Sequence, residues 1–126
     1  MLDGTQAFSG FSVSNIDKAK EFYSNTLGLK VEETAMGLQL HVGGGNPIFV
    51  YGKDDHTPAT FTILNFPVEN IDKAVEELKS KGVTFEHYKG MTDENGIARG
   101  IAQHRGPDIA WFKDPAGNIL SILHSS

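Results

Sequence analysis

Two stretches of this chain are near copies of each other, and that repetition restricts the architecture more than any single motif. Residues Phe11–Glu21 match Phe66–Glu76 at an offset of 55, and eight of the eleven positions are identical: Phe, Val, Asn, Ile, Asp, Lys, Ala and Glu. Chance does not produce such agreement in 126 residues, so the chain reads as two copies of one structural unit. Each copy runs from a strand into a helix. Ahead of Asn15 and Asn70 apolar residues alternate, at Phe11 and Val13 and at Leu64, Phe66 and Val68. Beyond them the period turns helical, through Ile16, Ala19, Phe22 and Tyr23 and through Ile71, Ala74, Val75 and Leu78. The two asparagines suit N-caps, and Asp17 and Asp72 sit in the first turn near the positive helix end. Gly28 and Gly82 stand where a helix C-terminus belongs.

Short strands are expected after each helix, over 30–34, 38–42 and 48–51 and then over 84–88, 108–113 and 119–124. The unit is therefore βαβββ, twice. This makes an α+β fold in a single domain, 1–126, with modules at 6–52 and 60–124. The stretch 89–107 reads as an irregular insertion. Asp114-Pro115-Ala116-Gly117-Asn118 predicts a three-residue hairpin loop, with proline opening a type I turn and glycine taking a positive φ. Counting outward sets Lys113 opposite Ile119, Phe112 opposite Leu120 and Trp111 opposite Ser121, and opposed residues share a face.

Composition removes several functional classes. With no cysteine there is no thiolate nucleophile, Cys-based zinc site, iron–sulfur cluster or disulfide scaffold. The net charge of -5 comes with scattered basic residues, which argues against nucleic-acid binding. The longest apolar runs, Ile48–Tyr51 and Ile109–Phe112, are four residues long, far short of the roughly 20 that a membrane span needs. The first residues do not read as a signal peptide, so a cytoplasmic location is expected.

The segments Phe11–Asn15, Phe22–Leu29, Phe66–Leu78 and Trp111–Asn118 together resemble the vicinal oxygen chelate superfamily, the glyoxalase / bleomycin-resistance / extradiol-dioxygenase group. The resemblance covers nearly the whole chain. It implies paired βαβββ modules whose curled mixed sheets surround a central cleft, usually in a homodimer. It also implies, for the enzymes of the group, a divalent metal held in that cleft by His, Gln or Glu from the first and last strands of each module. The matching positions here are Phe8, Phe49, Ile63 and Ser121. Phenyl and aliphatic groups donate nothing to a metal and a serine hydroxyl is a poor ligand, so no metal cofactor is expected.

Strand parity gives the cleft a lining without reference to any family. If Phe11, Val13, Leu38, Leu40, Val42, Ile48 and Val50 pack on helix, then Phe8, Gly10, Ser12, Gln39, His41, Phe49 and Tyr51 face the other way. In the second copy the same count leaves Ile63, Asn65, Trp111 and Ser121. The expected ligand site is thus Phe8, Gln39, His41, Phe49, Tyr51, Asn65, Trp111 and Ser121, an aromatic cup with a few polar points. Such walls suit a planar or cationic small molecule. Met91, His104 and Arg105 of the insertion form a candidate lid. His56, His87 and His124 read as surface residues, and Glu69, Asp72, Glu76, Glu77, Asp93 and Glu94 as solvated charges.

The function these readings imply is metal-free binding of a small molecule, with sequestration as the activity and no catalytic residue assigned. The alternative is a lyase, isomerase or dioxygenase using a relocated metal site or a His41/Tyr51 acid–base pair. A regulatory subunit acting through its dimer surface is a third possibility.

Overall fold

Asn15 and Asn70 act as the repeat requires. Each has an extended backbone, and its side-chain oxygen accepts from the amide three residues on, Lys18 at 2.9 Å and Lys73 at 3.0 Å. Two helices thus start at equivalent points of the two copies. The computed structural model describes residues 1–125, and the chain divides into two compact units at the Pro58–Ala59 junction.

In the first unit, β1 (Gly10–Val13) and α1 (Ile16–Glu21) are followed by β2 (Lys30–Thr34), β3 (Gly37–His41) and β4 (Ile48–Gly52). The sheet order is β1-β4-β3-β2, with β1 parallel to β4 and the other pairs antiparallel. The helix does not continue as α over Phe22 and Tyr23. It widens into a π-turn, Phe22–Thr26, closed by the Leu27 amide donating to the Phe22 carbonyl at 3.0 Å. Tyr23 is fully buried there, with its ring 5.9 Å from Phe11 and 5.2 Å from Phe22. Leu38, Leu40, Ile48 and Val50 are buried with it, while Gln39, His41 and Phe49, alternating with them, are only partly covered.

The second unit has β5 (Thr62–Pro67), α2 (Ile71–Ser80), β6 (Ile97–Arg99), β7 (Asp108–Lys113) and β8 (Ile119–His124). Its sheet order is β5-β8-β7-β6, again with the first pair parallel. Ile71 and Val75 of α2 are buried along with Phe112, Leu120 and Ile122 of β7 and β8, against which the helix packs. The 115–117 loop forms as expected, with Asp114 and Asn118 joined by a backbone hydrogen bond of 3.0 Å and all three predicted cross-strand pairs in register. Gly117 takes φ +85°. The fold is α+β, two four-stranded mixed sheets, neither of them closed. No helix among the described residues is long and apolar enough to cross a membrane.

Two expectations need correction. Residues 84–88 do not form a strand. Only Phe85 bridges to Phe112, and the Glu86 amide donates to the Trp111 carbonyl at 2.8 Å. The rest of the β7 edge is paired by β6, which lies inside the stretch read as irregular, and its Ile97 and Ala98 are buried. An edge strand left bare would waste its backbone donors and acceptors. The second correction concerns β5, whose register to β8 slips between Thr62 and Leu64. This bulge leaves Ile63 unpaired and places Thr62, opposite Ile119, on the face where strict alternation puts Ile63.

Candidate ligand-binding faces

On the sheet of the first unit, the face turned away from the core is built from cross-strand neighbours. Gly10 and Gln39 flank Phe49 on the two adjoining strands, and Ser12 lies beside Tyr51. The Phe49 and Tyr51 rings stack at 5.7 Å with an interplanar angle of 20°. Glycine at position 37 gives the Phe49 ring room to lie over the sheet, and glycine at position 10 keeps a Cβ from standing 3.1 Å from the Phe49 carbonyl oxygen. A Cβ on Gly10 would stand 3.6 Å from the Phe49 Cβ, and one on Gly37 would stand 3.3 Å from its Cε1 and run into the Val50 carbonyl oxygen.

Beside these rings lies a groove of about 520 Å³, within the ordinary range for small-molecule sites. Phe8, Met36, Pro47 and Phe49 supply its apolar walls. Its polar points are Gln6, Thr34, Gln39 and Asn46. The structure thus brings Phe8, Gln39 and Phe49 together, as parity suggests. Gln6, Met36, Asn46 and Pro47 were not predicted, because they belong to the N-terminal segment and the turns, where alternation has no say, and Thr34 was not because it ends β2, a strand whose lone apolar residue, Val31, sets no alternation. Asn46 ties two of these segments together, its Nδ2 donating to the Ala7 carbonyl at 2.8 Å.

The imidazoles of this unit are engaged. His41 Nε2 is 3.0 Å from Glu32 Oε1, a close contact without the alignment of a hydrogen bond. Glu32 sits across from Gln39 on β2, and Lys30, across from His41, brings its Nζ within 3.7 Å of the same carboxylate oxygen. His56 is not a surface residue. It is half-buried and shares a 2.6 Å hydrogen bond between its Nδ1 and Ser12 Oγ, which links the loop after β4 back to β1.

The second unit carries its predicted residues on one face of its own sheet. Ser121 pairs with both Asn65 and Trp111 in register. It is completely buried, and its hydroxyl donates to Asn65 Oδ1 at 2.5 Å. Trp111 Nε1 donates to Thr62 Oγ1 at 3.1 Å, and the indole meets Tyr88 edge-on at 5.5 Å. Thr62 was missed because the bulge that turns it inward has no sequence signature. Met91, His104 and Arg105 are exposed, with His104 at the left-handed φ of 55°. His124 is another departure from the surface reading, half-buried with Nδ1 3.0 Å from the Val68 carbonyl oxygen.

Asp72 and Asp93 are not simply solvated either. Arg99 of β6 grips Asp72 through two hydrogen bonds, at 2.6 and 3.1 Å, and reaches Asp93 through Nε at 3.1 Å. The Arg99 hydrogen bonds hold the Asp72 carboxyl below the usual carboxylate range. At Asp93 partial burial opposes ionisation, but the amides of Ile97 and Asn95 and the guanidinium outweigh it, and its pKa is lowered too. A hollow of about 250 Å³ nearby, lined by Asp72, Glu76, Lys79 and Asn95 among others, is small and charged.

The positions at which the resemblance implies a metal do not fit one. Phe8, Phe49 and Ile63 carry no lone pair, and the Ser121 hydroxyl is buried in its bond to Asn65. Among the described residues no three His, Asp or Glu side chains converge as a cation's ligands would.

Comparison with known proteins places this geometry. A member of the Glyoxalase/bleomycin resistance protein/dioxygenase superfamily from Sphaerobacter thermophilus is 23% identical, with 99% of this chain and 100% of that chain covered at a TM-score of 0.70. TnmS3, an antibiotic binding protein from Streptomyces sp. CB03234, is 21% identical with 98% of each chain covered and a TM-score of 0.67. The fosfomycin resistance protein FosX from Listeria monocytogenes is 16% identical, with 100% and 96% covered and a TM-score of 0.70. These likenesses are of fold. No curated protein matches the sequence. A family model matches residues 7–122, and by that match the chain belongs to the Glyoxalase/Bleomycin resistance protein/Dioxygenase superfamily.

Proposed function

We propose that this protein binds a planar or cationic small molecule without a metal, and that sequestering it is the activity. The observation that carries the reading is the groove of the first unit, where Phe8 and Phe49 meet the Gln39 carboxamide beside the stacked Tyr51 ring. The unsuited donor set at Phe8, Phe49, Ile63 and Ser121 supports the metal-free part. The fold shared with an antibiotic binding protein is compatible with it. In this reading Asn65 and Trp111, with Ser121 buried beneath them, are a separate polar-aromatic face on the second unit's own sheet, and Met91, His104 and Arg105 a lid belonging to that unit. A cytoplasmic location and a homodimer complete it, and light scattering of the purified protein tests the dimer.

The test of binding is a thermal-shift screen of planar and cationic aromatic compounds, repeated with Phe49→Ala. A saturable shift in the native protein that the variant loses is the expected result. A flat response to every compound sinks the proposal.

One observation favours a second reading. Glu32 Oε1 lies 3.0 Å from His41 Nε2, so a rotation of either side chain into hydrogen-bond alignment would make Glu32 the orienting partner of a general base. That reading requires His41→Ala to abolish turnover while binding survives.

A further inference from the structure

The groove of the first unit is lined without a single ionisable group. Its four polar side chains are three carboxamides and one hydroxyl. Two of them are already committed. Thr34 Oγ1 donates to the Gly37 carbonyl at 3.1 Å and accepts from the amides of Met36 and Gly37 at 3.2 Å. Asn46 spends its Nδ2 on Ala7. The carboxamides of Gln6 and Gln39 are different. Among the described residues neither is engaged by any side-chain hydrogen bond. Each therefore offers an unused acceptor and an unused pair of donors beside the Phe8 and Phe49 rings.

The charge nearest in register is Glu32, across from Gln39, and Lys30 counters it at 3.7 Å. The net charge of -5 is thus not expressed at this wall as a field that would select a cation. A charged ligand entering the groove would surrender hydration and find no counter-charge. The rings would return only part of that loss to a cation, since phenyl is among the weaker cation–π partners. A neutral, flat molecule carrying a donor next to an acceptor loses little and satisfies both free carboxamides.

Taking the binding role proposed above as its basis, we infer that the groove selects an uncharged planar compound with adjacent hydrogen-bond donor and acceptor groups, of the amide, lactam or imide kind, and discriminates against cations and anions of the same shape. Gln39 and Gln6 are the specificity-determining residues, and Phe49 is the surface on which the ligand lies. The reading narrows the occupant to one of the two ligand types that flat aromatic walls alone allow.

Three near-isosteric probes separate the cases at pH 7: naphthalene-2-carboxamide, which is neutral, naphthalene-2-carboxamidine, a cation, and naphthalene-2-carboxylate, an anion. Each is titrated into uniformly ¹⁵N-labelled protein, with the side-chain NH₂ signals of Gln6 and Gln39 and the backbone amide of Phe49 as reporters. The expected result is binding of the carboxamide at least tenfold tighter than either ion, with both glutamine NH₂ pairs shifting. Gln39→Glu, whose retained fold the same spectrum verifies, is expected to reverse the order of carboxamide and amidine. Tighter binding of the amidine to the native protein, lost in Phe49→Ala, overturns this inference and leaves the groove as a binding site. Failure of all three probes to move any of these signals overturns the groove as the site, and this inference with it.

Discussion

Asp114 is only 5% exposed, and its carboxylate organises the turn that follows. Oδ1 accepts from the amides of Ala116 and Asn118, each at 2.9 Å, and Oδ2 accepts from Asn118 Nδ2 at 3.0 Å. Alanine there would strand these donors in a buried place. At about 1–3 kcal/mol for each unmet buried donor, with partial relaxation, Asp114→Ala is expected to lose about 3 kcal/mol of stability in urea denaturation. Asp114→Asn keeps one good acceptor and should lose less. This residue was legible because its partners lie within four positions and the turn demands their types. Thr62 and His56 were not, because their partners, Trp111 and Ser12, are 49 and 44 residues away. Alternation can put a side chain on a face, but it does not choose the group that the side chain will meet there.

Among the elements, β6 is the least expected, and a pair of arginine salt bridges fastens it. Its Arg99 ties the first turn of α2, through Asp72, to the 93–96 turn, through Asp93. Both carboxyls titrate below their ordinary value, so the sign of the pH dependence follows. Their contribution to stability is complete above the unfolded value of about 3.9 and is lost as pH falls through the lower folded values. Arg99→Ala should therefore lower stability near neutral pH and also flatten its decline below about pH 4, again relative to the unfolded aspartate value. Urea melts of both proteins from pH 3 to 6 check this, and parallel curves would count against the clamp. The two helices and most strands were readable because hydrophobic period and capping are local. β6 was not, since three residues, Ile97–Arg99, are too few to show a period. The strand exists because β7 has an edge to fill, a condition set by tertiary structure. Gly96, at φ +84°, lets the chain turn into it, and a Cβ there would come within 3.0 Å of the Phe85 Cβ.

At the scale of the molecule, a duplicated unit provides the same strand positions twice, and the resemblance implies that a metal-using member of the superfamily draws its ligands from such positions. The positions that the resemblance matches to those ligands are Phe8, Phe49, Ile63 and Ser121 in this chain. These residues do not act alike. Phe49 is spared a side chain against its ring edge by Gly37 and is stacked on Tyr51, an arrangement suited to receiving a flat ligand. Ser121 is sealed into a hydrogen bond with Asn65. Placing a ligand side chain at one of these positions would leave the other three without donors, so a single substitution does not build a metal site here. Mass spectrometry of the untagged protein is therefore expected to find no stoichiometric metal, and Zn, Ni, Mn or Fe should leave its melting temperature unchanged. The contrast is large enough to read. A metal present at a hundred times its Kd would stabilise the fold by about 2.7 kcal/mol, which for a chain of this length is a shift of several degrees. One metal per chain together with such a shift would return the protein to the enzymes of its superfamily. His41, 3.0 Å from Glu32, would then be the first residue to test as a ligand.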